Sequence, residues 1–163
     1  MDLYQFYNTY KNQTIGDGQC VALVKLYERE VLGFNQFFGI NYAYQYFTDY
    51  DSNVGLQQRY TKHTLSELPK PGDIIVWNSN VGGGAGHVAI AYSDISQNSF
   101  ISFDQNWTPN ISKLENHNYS NVLGFLRDRN VVPPEPPGPT PAEKSNSRKW
   151  GWHNLNKKII IHL

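Results

Sequence analysis

From Val21 onward, apolar residues recur three and four positions apart, through Leu23, Val24, Leu26, Tyr27, Val31 and Leu32, and Gly33 follows them. That spacing predicts a buried helix with Cys20 in its first turn and a stop at the glycine. Leu3, Phe6, Tyr7 and Tyr10 have similar spacing and predict a first amphipathic helix over residues 2–12. Beyond residue 50 the period shortens. Val54 to Thr61 is expected as an edge strand, and Ile74-Ile75-Val76-Trp77 as a fully buried one entered through Pro69-Lys70-Pro71-Gly72-Asp73. His87 to Tyr92, the alternating Ser99 to Trp107, Ile111 to Glu115, and Val122 to Arg127 are expected as further strands. Short strands joined by turns after N-terminal helices imply an antiparallel sheet and an α+β fold class. Between helices and strands, Phe34, Phe37, Phe38, Tyr42, Tyr44, Tyr46, Phe47 and Tyr50 form an aromatic stretch with few charges, expected to be mostly core, with a subset lining a groove.

Composition divides the chain. Residues 1–131 carry the periodic pattern, 132–147 are a proline-rich, semi-rigid spacer, and 148–163 form a short basic tail. The tail is too short for a core of its own and suits a truncated second module, a docking segment or a cloning remnant. The 163 residues carry 14 basic and 14 acidic side chains, so there is no electrostatic reason to expect nucleic acid or an anionic membrane as partner. One cysteine excludes an internal disulfide and any multi-thiolate zinc site. Met1-Asp2-Leu3-Tyr4-Gln5-Phe6 lacks the features of a signal peptide, and no run has membrane-spanning length, so the expectation is a chain held in the cytoplasm until released.

The chemistry starts at Cys20. A helix N-terminus favours an anion by roughly 0.3–2 kcal/mol, which lowers a thiol pKa by about 1.5 units at most. A reactive thiolate needs a second partner, usually histidine. His87 begins a β-prone run after Val81-Gly82-Gly83-Gly84-Ala85-Gly86 and can face a cleft without crowding. In Phe103-Asp104-Gln105-Asn106, period two puts Asp104 and Asn106 on one face and Gln105 on the other. If that strand pairs with the His87 strand, either residue can orient the imidazole as the third member of a nucleophile, base and orienter set. The other candidates read as structural. His63 is followed by surface residues, His117 in Asn116-His117-Asn118 is expected to be a solvated turn residue, and Asp73 caps a turn. The glycines at 82–84 open no helix and lack a phosphate-loop pattern, so they form a rim beside His87.

Gly18-Gln19-Cys20-Val21, Pro71-Gly72-Asp73-Ile74-Ile75-Val76-Trp77, Gly86-His87-Val88-Ala89-Ile90 and Asp104-Gln105-Asn106-Trp107 together resemble the CHAP family, the cysteine- and histidine-dependent amidohydrolases and peptidases that cut bacterial peptidoglycan. The resemblance covers roughly residues 1–130 and implies a papain-like α+β domain. It implies Cys20 as nucleophile, His87 as general base and later acid, Asp104 as orienter where many members have Glu, and Asn106 as a second polar site residue or the main orienter. Gln19 and Trp107 are further candidates for holding the substrate or the oxyanion. Some members bind calcium through an acidic loop before the cysteine, but Lys11 to Gly18 offers one carboxylate where calcium wants six to eight oxygens, so neither metal nor cofactor is expected. The layout is similar to a phage endolysin of Gram-positive hosts whose second module is missing, a monomer acting on peptidoglycan. Three substrate classes stay open: the amide between N-acetylmuramic acid and L-alanine, a bond within the stem peptide or cross-bridge, and ordinary protein. A non-catalytic wall-binding or phage structural module is the remaining alternative.

Overall fold

A computed structural model describes residues 1–108 and 110–130 of the chain. The proline-rich spacer and the tail lie outside the described residues. Four short helices, α1 (Leu3–Tyr10), α2 (Cys20–Glu30), α3 (Gln45–Thr48) and α4 (Val54–Arg59), precede six strands: β1 (Tyr60–His63), β2 (Ile74–Trp77), β3 (His87–Ser93), β4 (Phe100–Gln105), β5 (Ser112–His117) and β6 (Val122–Asp128). The strands form one antiparallel sheet in the order β1-β6-β2-β3-β4-β5, giving the α+β class expected from the pattern.

The helix ends follow local chemistry. Asp2 accepts from Gln5 N while the Gln5 side chain accepts from Asp2 N, a capping box that starts α1. Val54 to Arg59 is helical rather than an edge strand, and only Tyr60 to His63 pairs with β6. The reason is Asn53, whose side chain accepts from Leu56 N and caps a helix where its residue type also suits a break between strands.

The sheet buries both faces. Ile74, Val76, Val88, Ile90, Phe103 and Leu126 pack against α1 and α2 through Leu3, Phe6, Leu23, Val24 and Tyr27. On the other face Ile75, Trp77, Ala89, Ala91, Phe100 and Phe125 make a smaller cluster. The alternation of the two sets along each strand is the period-two signal. Asp73, read as a turn cap, accepts from Lys70 N and in addition takes a bidentate ion pair from Arg127, at 3.0 and 2.8 Å. Gly86, just before β3, has φ +73°, and a Cβ there would lie 2.8 Å from both the Trp77 carbonyl oxygen and Tyr44 Cβ. Only glycine lets the chain turn into His87 at that approach.

The aromatic stretch is divided. Phe34, Phe38, Tyr46 and Tyr60 pack edge to face beside α2, whereas Phe37 and Tyr42 are exposed. Inside that aromatic nest sits Glu28 of α2, whose Oε1 accepts from Tyr60 Oη at 2.6 Å. Burial pushes Glu28 up, the Tyr60 hydrogen bond and the Lys25 and Arg59 charges pull it part of the way back, and its carboxyl titrates at about 7. Because the folded value lies above the ordinary 4.5, this group's stabilisation is complete below 4.5 and is lost as pH rises through 7. Between about pH 5 and pH 8 the expected loss is on the order of 3 kcal/mol. Urea denaturation at the two pH values measures it, and Glu28→Gln is expected to reduce the difference by that amount, leaving the part that His87 contributes; an unchanged slope in that variant assigns all of it to other groups.

Candidate active site

Three elements converge at one end of the sheet. The α2 N-terminus brings Cys20, the first residue of β3 brings His87, and β4 brings Asp104. Cys20 is 9% exposed and lines a cleft of about 250 Å³ together with Asp17, Gln19, Lys25, Tyr42 and Ala85. A hollow of about 310 Å³ between Leu65, Leu68 and Tyr119 lies elsewhere and contains no cysteine or histidine.

The loop before Cys20 is tied to β4 by one amide. Gln105 Oε1 accepts from Ile15 N at 2.6 Å, and its Nε2 donates to Ile15 O and Gln19 O at 2.9 and 2.8 Å. The strand carrying the orienter therefore also fixes the loop carrying the nucleophile. Gln105 was legible as pointing away from Asp104, but its partners are some 90 residues distant, and no local signal marks them.

His87 and Asp104 form the central contact. His87 Nε2 is hydrogen-bonded to Asp104 Oδ1, and both side chains are buried. Burial by itself would push Asp104 up, but hydrogen bonds and charge from His117 and His87 outweigh it and hold the carboxyl below the usual range. A carboxylate only accepts, so His87 Nε2 carries a hydrogen and Nδ1 is left for the sulfur. Burial by itself would lower His87; the hydrogen bonds to Asp104 and Cys20 and the charges of both raise it to about 9. The imidazole is thus cationic through neutral pH.

Asn106 is placed differently from Asp104. The β3–β4 register, with Ile90 opposite Phe103, would set Asn106 across from His87 if the strand continued. At Asn106 φ is +67°, the strand ends at Gln105, and the Asn106 amide donates to Gln19 Oε1 at 3.0 Å. Asp104, not Asn106, is the side chain hydrogen-bonded to His87. The Gln19 side chain is engaged from its oxygen, which fixes it at the cleft rim. Trp107 is 42% exposed and presents its ring to His87 at 5.1 Å between centroids.

His117 corrects the solvated-turn expectation. It closes β5, is 6% exposed, and its Nε2 lies 3.0 Å from Asp104 Oδ2. Its partners are nonlocal: Phe100 opposite it on β4, and the rings of Trp77 and Trp107. Flanking asparagines make the segment look like a turn, while burial is supplied by residues from other strands. His63 hydrogen-bonds Thr61 and Glu67 on the distant edge strand and takes no part in the site.

The family model for the CHAP domain matches residues 8–106, which include Cys20, His87 and Asp104. The chain belongs to the CHAP domain family. Over 66 residues, 40% of its length, this CHAP domain is 42% identical to the probable autolysin PH of Staphylococcus aureus (strain NCTC 8325 / PS 47), of which it spans 13%. Among solved structures, the wild-type endolysin LysIME-EF1 superposes with a TM-score of 0.55 at 20% identity, over 78% of this chain and 64% of that one. Ly7917 superposes with a TM-score of 0.58 at 16% identity, over 78% and 61%. At those identities the two structures speak to the fold, α helices on an antiparallel sheet. Among the described residues no helix is long and apolar enough to cross a membrane, and no three His, Cys, Asp or Glu side chains group as a metal site requires.

Proposed function

We propose that this CHAP domain is a peptidoglycan hydrolase that cleaves an amide bond of the bacterial cell wall by a cysteine-histidine mechanism, acting as an N-acetylmuramoyl-L-alanine amidase of the endolysin type. The observation that supports the mechanism is the His87 ring, held on Asp104 through Nε2 with Nδ1 left over, while Cys20 lines a cleft from the α2 N-terminus. Membership of the family and the autolysin and endolysin relatives supply the substrate class. Ly7917 has itself been solved with the hydrolyzing product of MDP.

In this reading Cys20 Sγ attacks the amide carbonyl carbon, forming the S–C bond, and the Cys20 backbone N–H at the α2 N-terminus faces the developing oxyanion. His87 gives its Nδ1 proton to the departing amine as the C–N bond breaks, leaving a thioester. Water then attacks the thioester carbonyl, losing a proton to His87. The C–S bond breaks, releasing the carboxylic acid and returning the thiolate and imidazolium. The exposed Tyr42 ring, stacked on Tyr44 at 5.7 Å beside the cleft, offers a flat apolar surface of the kind that covers sugar C–H faces. The domain is expected to act as a monomer, without metal or cofactor and without a nucleic-acid partner.

Mass spectrometry of the fragments released from purified Gram-positive walls tests the bond. An amidase frees stem peptides with an unblocked N-terminal alanine and leaves glycan strands with free lactyl carboxylates. Glycan still bearing alanine assigns cleavage to the stem peptide or cross-bridge, and casein digestion with intact walls assigns an ordinary protease. A Cys20 that does not react with iodoacetamide, with no fragments released, assigns a non-catalytic wall-binding or phage structural module.

A further inference from the structure

Asp104 is held by three donors. His87 Nε2 is on Oδ1, while Ser102 Oγ and His117 Nε2 are on Oδ2, the last at 3.0 Å. The carboxylate is 1% exposed and an acceptor only, so His117 must also present Nε2–H to it. Two imidazoles thus grip opposite oxygens of one buried carboxylate, and neither oxygen can turn away without abandoning a donor.

The second imidazole is itself immobilised. Its ring meets Trp107 edge-on at 4.5 Å and Trp77 at 5.0 Å, and stacks near Phe100 at 5.5 Å. The ionisable groups facing it are Asp104 from β4 and, beyond that carboxylate, His87 from β3. From β2 and from the turn after β4 the rings of Trp77 and Trp107 reach it. On its own strand, Lys113 and Glu115 pair with each other at 3.1 Å.

Resting on the Cys20–His87 reading above, we infer that His117 is a positioning residue for amide hydrolysis. It locks the Asp104 carboxylate with Oδ1 toward His87 and takes a share of that carboxylate's charge, so that His87 keeps a proton it can still give up. The arrangement is a four-member line from sulfur to imidazole to carboxylate to a second imidazole. The cavity of about 300 Å³ lined by Trp107, His117, Asn118 and Asn121 lies at its far end.

The test compares initial rates on purified walls, at limiting substrate and across pH, for the wild type, His117→Phe, His117→Gln and His117→Asn, with Cys20→Ala as control. In the wild type the alkaline limb should fall near 9, where His87 loses its proton. His117→Phe keeps a ring among the tryptophans but removes the donor. Its rate should fall roughly tenfold to a hundredfold, and its alkaline limb should move upward because Asp104 then concentrates its charge on His87. His117→Gln places an amide donor at the position of Nε2 and should recover most of the rate with a wild-type limb, whereas the shorter Asn should not. A phenylalanine variant with wild-type rate and limb overturns the inference. So does a set in which Phe and Gln variants are equally slow with unshifted limbs and lowered melting temperatures, since that is a packing role. If the phenylalanine variant does not fold, the Gln and Asn pair decides: a split in rate and limb supports the inference, equal behaviour sinks it. Lysis persisting in Cys20→Ala removes the cysteine mechanism itself, while an inactive Cys20→Ala beside indifferent His117 variants removes only the role of His117.

Discussion

Cys20→Ala is expected to bring wall lysis to background, a fall on the order of 10⁴-fold or more, while far-UV circular dichroism and the melting temperature stay near wild type. The substitution deletes one sulfur at the edge of a cleft, so it removes the nucleophile with little loss of packing. His87→Ala should be equally inactive for a different reason. It removes the group that gives and takes the proton, and it leaves Asp104 with only Ser102 and His117 as donors. Some loss of stability should accompany that variant, because a buried carboxylate has lost a hydrogen-bond partner. Turbidity loss of susceptible walls near the wild-type rate in either variant would refute the mechanism.

The second large effect is expected from Asp104→Asn, with a rate lower by roughly 10²- to 10⁴-fold. Asparagine fits the space, but one of its two terminal atoms becomes a donor. That amide must oppose the hydrogen on His87 or the hydrogen on His117, and relief at His87 means moving its hydrogen to Nδ1, the nitrogen meant for the sulfur. Loss of the negative charge should also lower the alkaline limb of the pH–rate profile from about 9 toward the ordinary histidine value of 6.5. A variant with a wild-type profile would show that Asp104 only fills space.

Much of this arrangement was readable from residue pattern. The three- and four-residue spacing after Cys20 predicts α2, and alternation in Ser99 to Trp107 predicts a strand; the structure has both, with β4 ending at Gln105, and β4 does lie beside the strand of His87. The same period places Asp104 and Gln105 on opposite faces. What period cannot supply is the far partner. Asn106 leaves the pattern because its backbone turns left-handed one residue after the strand ends. His117 sits in a segment whose neighbours are all polar, and only the cross-strand pairing with Phe100 and the tryptophan rings reveal that it is interior. For residues 54–59 the obstacle was a single asparagine, which serves equally as a helix cap and as a break between strands.

The hairpin of β3 and β4 has a further consequence for how the domain is made. His87 and Asp104 are 17 positions apart on consecutive, directly paired strands, so their contact closes a short loop and belongs to local structure. Cys20 is separated from His87 along the chain by α3, α4, β1 and β2. By loop-closure entropy the proton-handling pair is the cheaper contact to form, and the meeting with the sulfur, across 67 positions, the costlier one.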